Sequence, residues 1–251
     1  MNPEAVVNYL VEWLRNEVAE AGKSGVVLGV SGGVDSAVAA LIAKRAFPDQ
    51  MQALLLPCES DLTDLWHGQL LAEQNDIPYQ IVDLDNPYLL LVQQFEAYLK
   101  ADQTSGKLLK ANIKPRLRML ALYYAAQARN YLVVGTSNKS ELSVGYSTKY
   151  GDSAVDLQLL GDLLKREVFA LAAYLKVPEV IINKPPSGGL WVGQTDEGEM
   201  GFTYEELDDY LSTGQGNAEV VARIEAMMKA NQHKQRLPRV AVLPDYLRQG
   251  Q

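Results

Sequence analysis

The chain has 251 residues, 47% hydrophobic and 22% charged, with a formal net charge of −8 and one cysteine. That length buries roughly 70–75% of the unfolded surface, so a core forms without staples; the lone Cys58 excludes an internal disulfide, and no Cys/His grouping has zinc-ligand spacing. The acidic balance lacks the electrostatic footprint of a general nucleic-acid binder, and no apolar run reaches the roughly 18–20 residues that cross a bilayer, which leaves a small molecule or another protein as the expected partner.

Asn2 and Pro3 supply a helix cap and a first-turn proline, and Val6, Leu10, Trp13, Leu14 and Val18 follow at helical spacing. This amphipathic start with early acids is unlike a secretory leader, so the chain is expected in the cytoplasm. Four apolar runs of strand length lie at 26–30, 53–57, 79–84 and 131–135. Helical patterns separate them at 36–46, about 61–75 and 87–129, the last split by glycine and polar residues near 102–107. Strands alternating with helices predict an α/β fold, a doubly wound and mostly parallel sheet with helices on both faces. No repeat or linker interrupts the chain, which is expected to form a single domain over 1–251.

After residue 135 the texture changes to "GTSNKSELSVGYSTKYGDSAVD", polar and without apolar periodicity, as functional loops often are. "DLLKREVFALAAYL" at 162–175 returns to helix, with Leu164, Val168, Leu171 and Leu175 on one face. "KPPSGGLWVGQTDEGEMG" at 184–201, with two prolines and five glycines, predicts an irregular mobile loop or lid. Two more helices are predicted near 203–211 and 218–231, the second carrying Val220, Val221, Ile224, Met227 and Met228.

The stretch "GVSGGVDS", Gly29 to Ser36, turns from the first strand into a helix. Gly32 and Gly33 let backbone N–H groups approach an anion, the helix N-terminus adds partial positive charge, and Ser31 and Ser36 offer hydroxyls. The bland alternative is a glycine turn needed only for tight packing. Neither G-x-x-x-x-G-K-[ST] nor G-x-G-x-x-G is present; in place of the lysine stands Asp35.

S-G-G-x-D-S after a strand resembles the signature of the N-type ATP pyrophosphatases, which cleave ATP between its α and β phosphates. "GTSNKSE" at 135–141, "GYSTKYGDSAVD" at 145–156, "LLKREVFALAAYL" at 163–175, "KPPS" at 184–187, "GQTDEGEMG" at 193–201 and "HK" at 233–234 look, in that order, like the ammonia-dependent NAD synthetases. The resemblance covers nearly the whole chain. It implies an adenine nucleotide alpha hydrolase-like fold and amidation of deamido-NAD by ammonia through an acyl adenylate, with ATP as co-substrate and NAD, AMP and pyrophosphate as products.

By the same resemblance Gly29, Val30, Ser31, Gly32, Gly33, Val34, Asp35, Ser36, Thr136, Lys165 and Ser187 contact ATP, with Asp35 and Lys165 catalytic. Arg116, Lys149, Asp156, His233 and Lys234 contact deamido-NAD, with Arg118 a rival to Arg116. Asp35 and Glu141 are the implied Mg2+ ligands: two acids at the ends of adjacent strands would repel a triphosphate, and hard oxygen donors suit that ion. Singly, Asp35 reads as a helix-end charge, Glu141 as a solvated acid, Lys165 as a solvated helix lysine and His233 as an exposed histidine. Leu159 and Leu160 stand where the family has Pro-Ile, and "PCESDLTDLWHG" departs from the family's acid-rich loop; there Cys58 is expected to be packed and His67 to lie at the surface.

The resemblance also implies a homodimer, for which the apolar faces of 87–129 are candidates. The phosphate loop starts too early to admit an N-terminal glutaminase domain, so free ammonia is the expected nitrogen source, with a separate glutaminase as an option. Two alternatives share the loop. A tRNA-modifying enzyme is opposed by the acidic balance and the lack of an RNA-binding segment; a nucleotide sensor without catalysis is opposed by the presence of Asp35, Glu141 and Lys165.

Overall fold

A computed structural model of the protein describes residues 1–98, 106–191 and 193–248. The chain opens with α1 (Pro3–Glu20), then β1 (Gly25–Gly29), α2 (Val34–Ala46), β2 (Met51–Leu55), α3 (Leu62–Gln74) and β3 (Tyr79–Ile81). Three helices follow, α4 (Asp85–Tyr98), α5 (Gly106–Ala111) and α6 (Ile113–Arg129), before β4 (Tyr131–Gly135), α7 (Lys139–Val144) and β5 (Leu157–Gln158). The remainder is helical: α8 (Lys165–Tyr174), α9 (Glu179–Ile182), α10 (Asp196–Met200), α11 (Tyr204–Thr213) and α12 (Ala218–Asn231). Of the predicted break near 102–107, residues 102–105 lie outside the described residues, and Gly106 and Lys107 open α5.

The strands form one parallel sheet in the order β3-β2-β1-β4-β5. Period-two alternation sorts their side chains onto two faces. Val26, Leu28, Ala53, Leu55 and Val134 pack against α1, α2 and α8, while Val27, Leu54 and Val133 pack against Tyr88 of α4 and Ala125 and Ala126 of α6. Helices on both faces explain why the strands read as continuous apolar runs. A third cluster, of Val144, Met200, Phe202, Tyr204, Leu207 and Ile224, knits α7, α11 and α12 beside the sheet.

Most predicted elements appear, with shifted ends. Asn2 does cap α1, accepting from the Ala5 amide at 3.3 Å, but the buried stripe is Val7, Leu10, Val11, Leu14 and Val18, with Val6 and Trp13 flanking it. Two short helices, α7 and α10, overturn the reading of their segments as irregular, and β5 adds a strand where none was predicted. α7 forms inside the polar stretch because Asn138 and Glu141 make a reciprocal capping box. β5 is a two-residue edge strand, and α10 starts on the Thr195 side chain and stops at Gly201, φ +76°. Leu159 and Leu160, which replace the family's Pro-Ile, are buried in the main core. Among the described residues no helix is long and apolar enough to cross a membrane.

Candidate active site

From β1 the chain runs outward to β2 and β3 on one side, then returns to add β4 and β5 on the other, so the topology switches between β1 and β4. Ligands of open parallel sheets bind beyond the carboxyl ends of the strands at such a point. The loops after β1 and β4 meet there, over a cleft of about 640 Å³.

The loop after β1 is prebuilt by its serines. Ser36 Oγ accepts from the Ser31 amide at 3.1 Å and donates to the Gly33 carbonyl at 2.9 Å. Gly33 caps α2 without a side chain, so the first-turn amides have no intrahelical partner and are available to an anion. Gly32 has a different task. It sits at φ +77°, and a Cβ there would meet the Asp64 carbonyl oxygen at 2.3 Å, so α3 packs where a side chain would be. The packing explanation, weighed as the bland one, holds for Gly32.

Asp35, in the first turn of α2, and Glu141, in α7, converge as their motifs suggested. Lys165, the first residue of α8, places Nζ 2.5 Å from Asp35 Oδ2 and 3.2 Å from Glu141 Oε1. Its side chain is only 2% exposed, which overturns the solvated-lysine alternative. Burial by itself would depress this amine's pKa, but Asp35 and Glu141 outweigh burial and hold it above the ordinary lysine value. Burial, with Asp35 and Asp196 adding to it and Lys165 opposing, pushes the Glu141 carboxyl up to about 7.

Three residues around this triad were missed in the sequence. Asn138 is fully buried; its amide nitrogen donates to Asp35 Oδ1 at 2.8 Å and its Oδ1 accepts from the Glu141 amide at 3.0 Å. N-K-S-E at 138–141 is a capping-box pattern that would have marked both the residue and its helix. Tyr204, from α11, donates to Asp196 Oδ2 at 2.9 Å with Glu141 Oε1 3.2 Å away, and its ring lies 4.7 Å from Lys165 Nζ. Asp196 lines the cleft at 4% exposure, and its Oδ1 has no partner among the described residues. No local pattern reports that Tyr204 and Asp196 turn toward Glu141.

The same cleft is lined by Gly29, Val30, Ser31, Gly33, Val34, Ser36, Thr136 and Ser187 and, on another side, by Arg116, Arg118, Lys149, His233 and Lys234. Arg116 donates to the Lys149 carbonyl at 3.2–3.3 Å. Arg118 donates to the Leu56 carbonyl and Ser60 Oγ, each at 3.1 Å, so both arginines face the cleft. His233 Nδ1 lies 3.4 Å from Lys149 Nζ, and Lys234 donates to the carbonyls of Gly145 and Ser147, both at 2.9 Å. Lys184 pairs with Asp64, and Lys114 donates to the Leu190 carbonyl at 3.0 Å, so the first part of the segment 184–201, predicted as a mobile loop or lid, is tied down at 184 and at 190.

Asp156 is not brought to this cleft. Its Oδ2 accepts from the Val133 amide at 2.8 Å and its Oδ1 from the Tyr123 hydroxyl at 3.2 Å, beside a separate depression with Glu17 and Glu20. It bridges the sheet edge to α6. His67 also departs from expectation: it is buried, its Nδ1 has no partner among the described residues, and burial lowers its pKa below the ordinary histidine value. Cys58 is buried as expected.

A family model described as NAD synthase matches residues 6–238. The NH(3)-dependent NAD(+) synthetase of Syntrophomonas wolfei subsp. wolfei is 69% identical over 248 residues, which is 99% of this chain and 100% of that protein. Among solved structures, an NMN synthetase from Francisella tularensis superposes with a TM-score of 0.90 at 37% identity, covering 98% of this chain and 99% of that one. The NH3-dependent NAD synthetase from Campylobacter jejuni superposes at 0.78 with 31% identity, covering 96% of this chain and 100% of that one. With its fold and nearly its whole length in common with these proteins, the chain belongs to the NAD synthase family.

Proposed function

We propose that the protein amidates the nicotinate carboxylate of deamido-NAD with free ammonia, consuming ATP and releasing NAD, AMP and pyrophosphate. The observation that carries this reading is the meeting of Asp35, Glu141 and Lys165 at the switch point, beside the unpaired amides of α2. A carboxylate does not exchange oxygen for an amine at a useful rate, so it must first be activated. Its oxygen attacks the α-phosphorus, the bond to the β-phosphate's bridging oxygen breaks, and pyrophosphate leaves with the electron pair. The α2 amides and the Lys165 ammonium stabilise the charge that develops on that leaving group. The ammonia lone pair then adds to the acyl carbon, the bond to AMP breaks, and a proton passes to solvent.

The donor set fits Mg2+. Asp35, Glu141 and Asp196 gather three carboxylates around one lysine, an excess of negative charge that suits a cation. Among the described residues no three His, Cys, Asp or Glu side chains could hold a metal unaided, whereas Mg2+ needs only one or two carboxylates beside phosphate and water. Asp35 and Glu141 would hold it, and when bound it neutralises pyrophosphate charge as a Lewis acid. The loop from Gly29 to Ser36, with Thr136, Lys165 and Ser187, takes ATP; Arg116, Arg118, Lys149, His233 and Lys234 take the diphosphate and riboses of deamido-NAD. Asp156 lies outside its own chain's site. Exposed Leu89, Leu90, Phe95, Leu120 and Tyr124 on α4 and α6 supply an apolar face for a second copy, and the protein acts as a cytoplasmic homodimer.

Purified protein given deamido-NAD, ATP, Mg2+ and ammonium is expected to form NAD and AMP one for one; ADP as product, or no NAD, refutes the reading. Glutamine in place of ammonium is expected to support no turnover unless a separate glutaminase is added. One observation favours a second reading: the superposition at 0.90 is with a protein described as an NMN synthetase. Under that reading the acceptor is the mononucleotide acid and the chemistry is unchanged. Comparing kcat/KM for the two acids separates the readings.

A further inference from the structure

The helix that delivers Lys165 has only half a cap of its own: Glu167 of its first turn accepts from the Leu164 amide at 2.8 Å, but no local side chain accepts from the amides of Lys165 and Arg166. α8 begins after Leu164, which offers no capping oxygen, although a Ser, Thr, Asp or Asn at that position would do so locally. The cap for those two amides comes instead from α11. Asp208, 1% exposed, accepts from the Arg166 amide through Oδ2 at 2.9 Å and from the Ser140 hydroxyl through Oδ1 at 2.5 Å; Ser140 Oγ in turn accepts from the Lys165 amide at 3.0 Å. One buried carboxylate thereby satisfies the first two amides of α8, one directly and one through a hydroxyl.

The relay joins the elements that carry the site. Ser140 adjoins Glu141 in α7, Lys165 and Arg166 open α8, and Asp208 shares α11 with Tyr204, whose hydroxyl is aimed at Asp196 and Glu141. Arg166 reinforces the junction from its side chain, donating to the Asp208 carbonyl at 2.9 Å and to Asp209 at 2.7 Å. Burying a carboxylate is costly unless its lone pairs are satisfied, and a local cap would serve helix stability at less cost. What the distant cap adds is a fixed distance between the backbone of Lys165 and that of Glu141. We propose that Asp208, acting through Ser140, is a positioning residue that holds Lys165 against the departing pyrophosphate.

This inference rests on the reading that Lys165 stabilises that leaving group, and the test separates the two. Ser140→Ala breaks the relay without removing a charge, and Asp208→Asn weakens both of its ends. Each is expected to lower kcat by about 10- to 100-fold, the scale of a roughly 1 Å misplacement, with KM for ATP and deamido-NAD within about 2-fold of wild type on a per-folded-protein basis. In a Lys165→Met background, itself expected to be strongly impaired, adding Ser140→Ala should cost nothing further, because the group being positioned is gone. Full activity of Lys165→Met would overturn the leaving-group role. A strongly impaired Lys165→Met beside a Ser140→Ala variant with wild-type kcat, or with a loss that recurs in full in the double variant, would overturn the positioning role. Should Asp208→Asn fail to fold, Ser140→Ala decides alone.

Discussion

Gly32 and Gly33 are adjacent and chemically identical, yet the structure gives them separate duties, and alanine at each should separate those duties in measurement. At Gly32 the backbone stands at φ +77°, a conformation that costs an L residue about 1–2 kcal/mol. The new Cβ would also lie 2.3 Å from the Asp64 carbonyl oxygen and 3.0 Å from His67 Cβ, so α3 must give way. Overpacking of that kind costs about 1–3 kcal/mol more. A total of about 2–5 kcal/mol lowers Tm by roughly 4–20 °C in a chain of this size. Gly33, by contrast, has an ordinary extended backbone at φ −97° and ψ 162°, and its Cβ would touch only Ser31 Oγ at 3.4 Å. Gly33→Ala should therefore stay within about 0.5 kcal/mol of wild type while obstructing anion approach to the loop, which raises KM for ATP. Thermal melts by circular dichroism and steady-state kinetics read both effects. A Gly32→Ala protein that melts within about 2 °C of wild type, or a Gly33→Ala protein that loses stability but not ATP affinity, refutes this division.

Asp35→Asn removes the charge that pairs with Lys165, and kcat should fall at least about 10²-fold while the fold persists; a fully active variant contradicts the metal and catalytic assignments together. Burial pushes the Cys58 thiol from its ordinary 9.0 to about 11, so at pH 8 its thiolate fraction is about 100-fold below that of a free thiol. Native protein should react with a thiol-modifying disulfide reagent at least that much more slowly than urea-unfolded protein, and equal rates would show an accessible thiol. Asp156→Ala strips the partner from the Val133 amide and should cost about 1–3 kcal/mol of stability with KM for ATP unchanged, as read by melting and kinetics. Lys114→Met releases the Leu190 carbonyl, so protease cutting within 184–191 should quicken, and an unchanged cutting rate would mean that this contact does not restrain the segment.

What could be read in advance tracks how local its cause is. The apolar runs at 26–30, 53–57 and 131–135 announce the buried strands because both faces of a parallel sheet are covered, whereas the run at 79–84 yields the short, largely exposed β3; S-G-G-x-D-S between a strand and a helix announces the phosphate loop because its mechanism lies within eight consecutive residues. β5 escaped because two residues carry no periodicity, and it exists only as an edge partner to Val134 and Gly135. α7 left a local sign in its capping box that a search for apolar periodicity passes over. Asp156 shows the opposite case. A motif placed it with the ligand residues, but a motif records order along the chain and not direction in space, and its carboxylate points to Val133 and Tyr123.

The charge arrangement at the switch point follows from which phosphate must be released. A loop built to hold a γ-phosphate for transfer gains from a lysine inside it. Here the bond that breaks lies one phosphate further in, and the departing group is pyrophosphate, whose charge grows over several oxygens as it leaves. An acid on the loop can be tolerated only if cations stand opposite it, and Asp35 has Lys165 at 2.5 Å, delivered from a helix 130 residues later. Lys165 faces Glu141 as well, so its ammonium is shared between two acids and is held charged in a buried place where an isolated amine would lose its proton. Asp35 and Glu141 together therefore keep the lysine ionised and leave a surplus of negative charge beside the triphosphate. Removing either acid should weaken the lysine's charge as well as the proposed Mg2+ site, which is why Asp35, Glu141 and Lys165 are expected to fail as one unit and not as three additive parts.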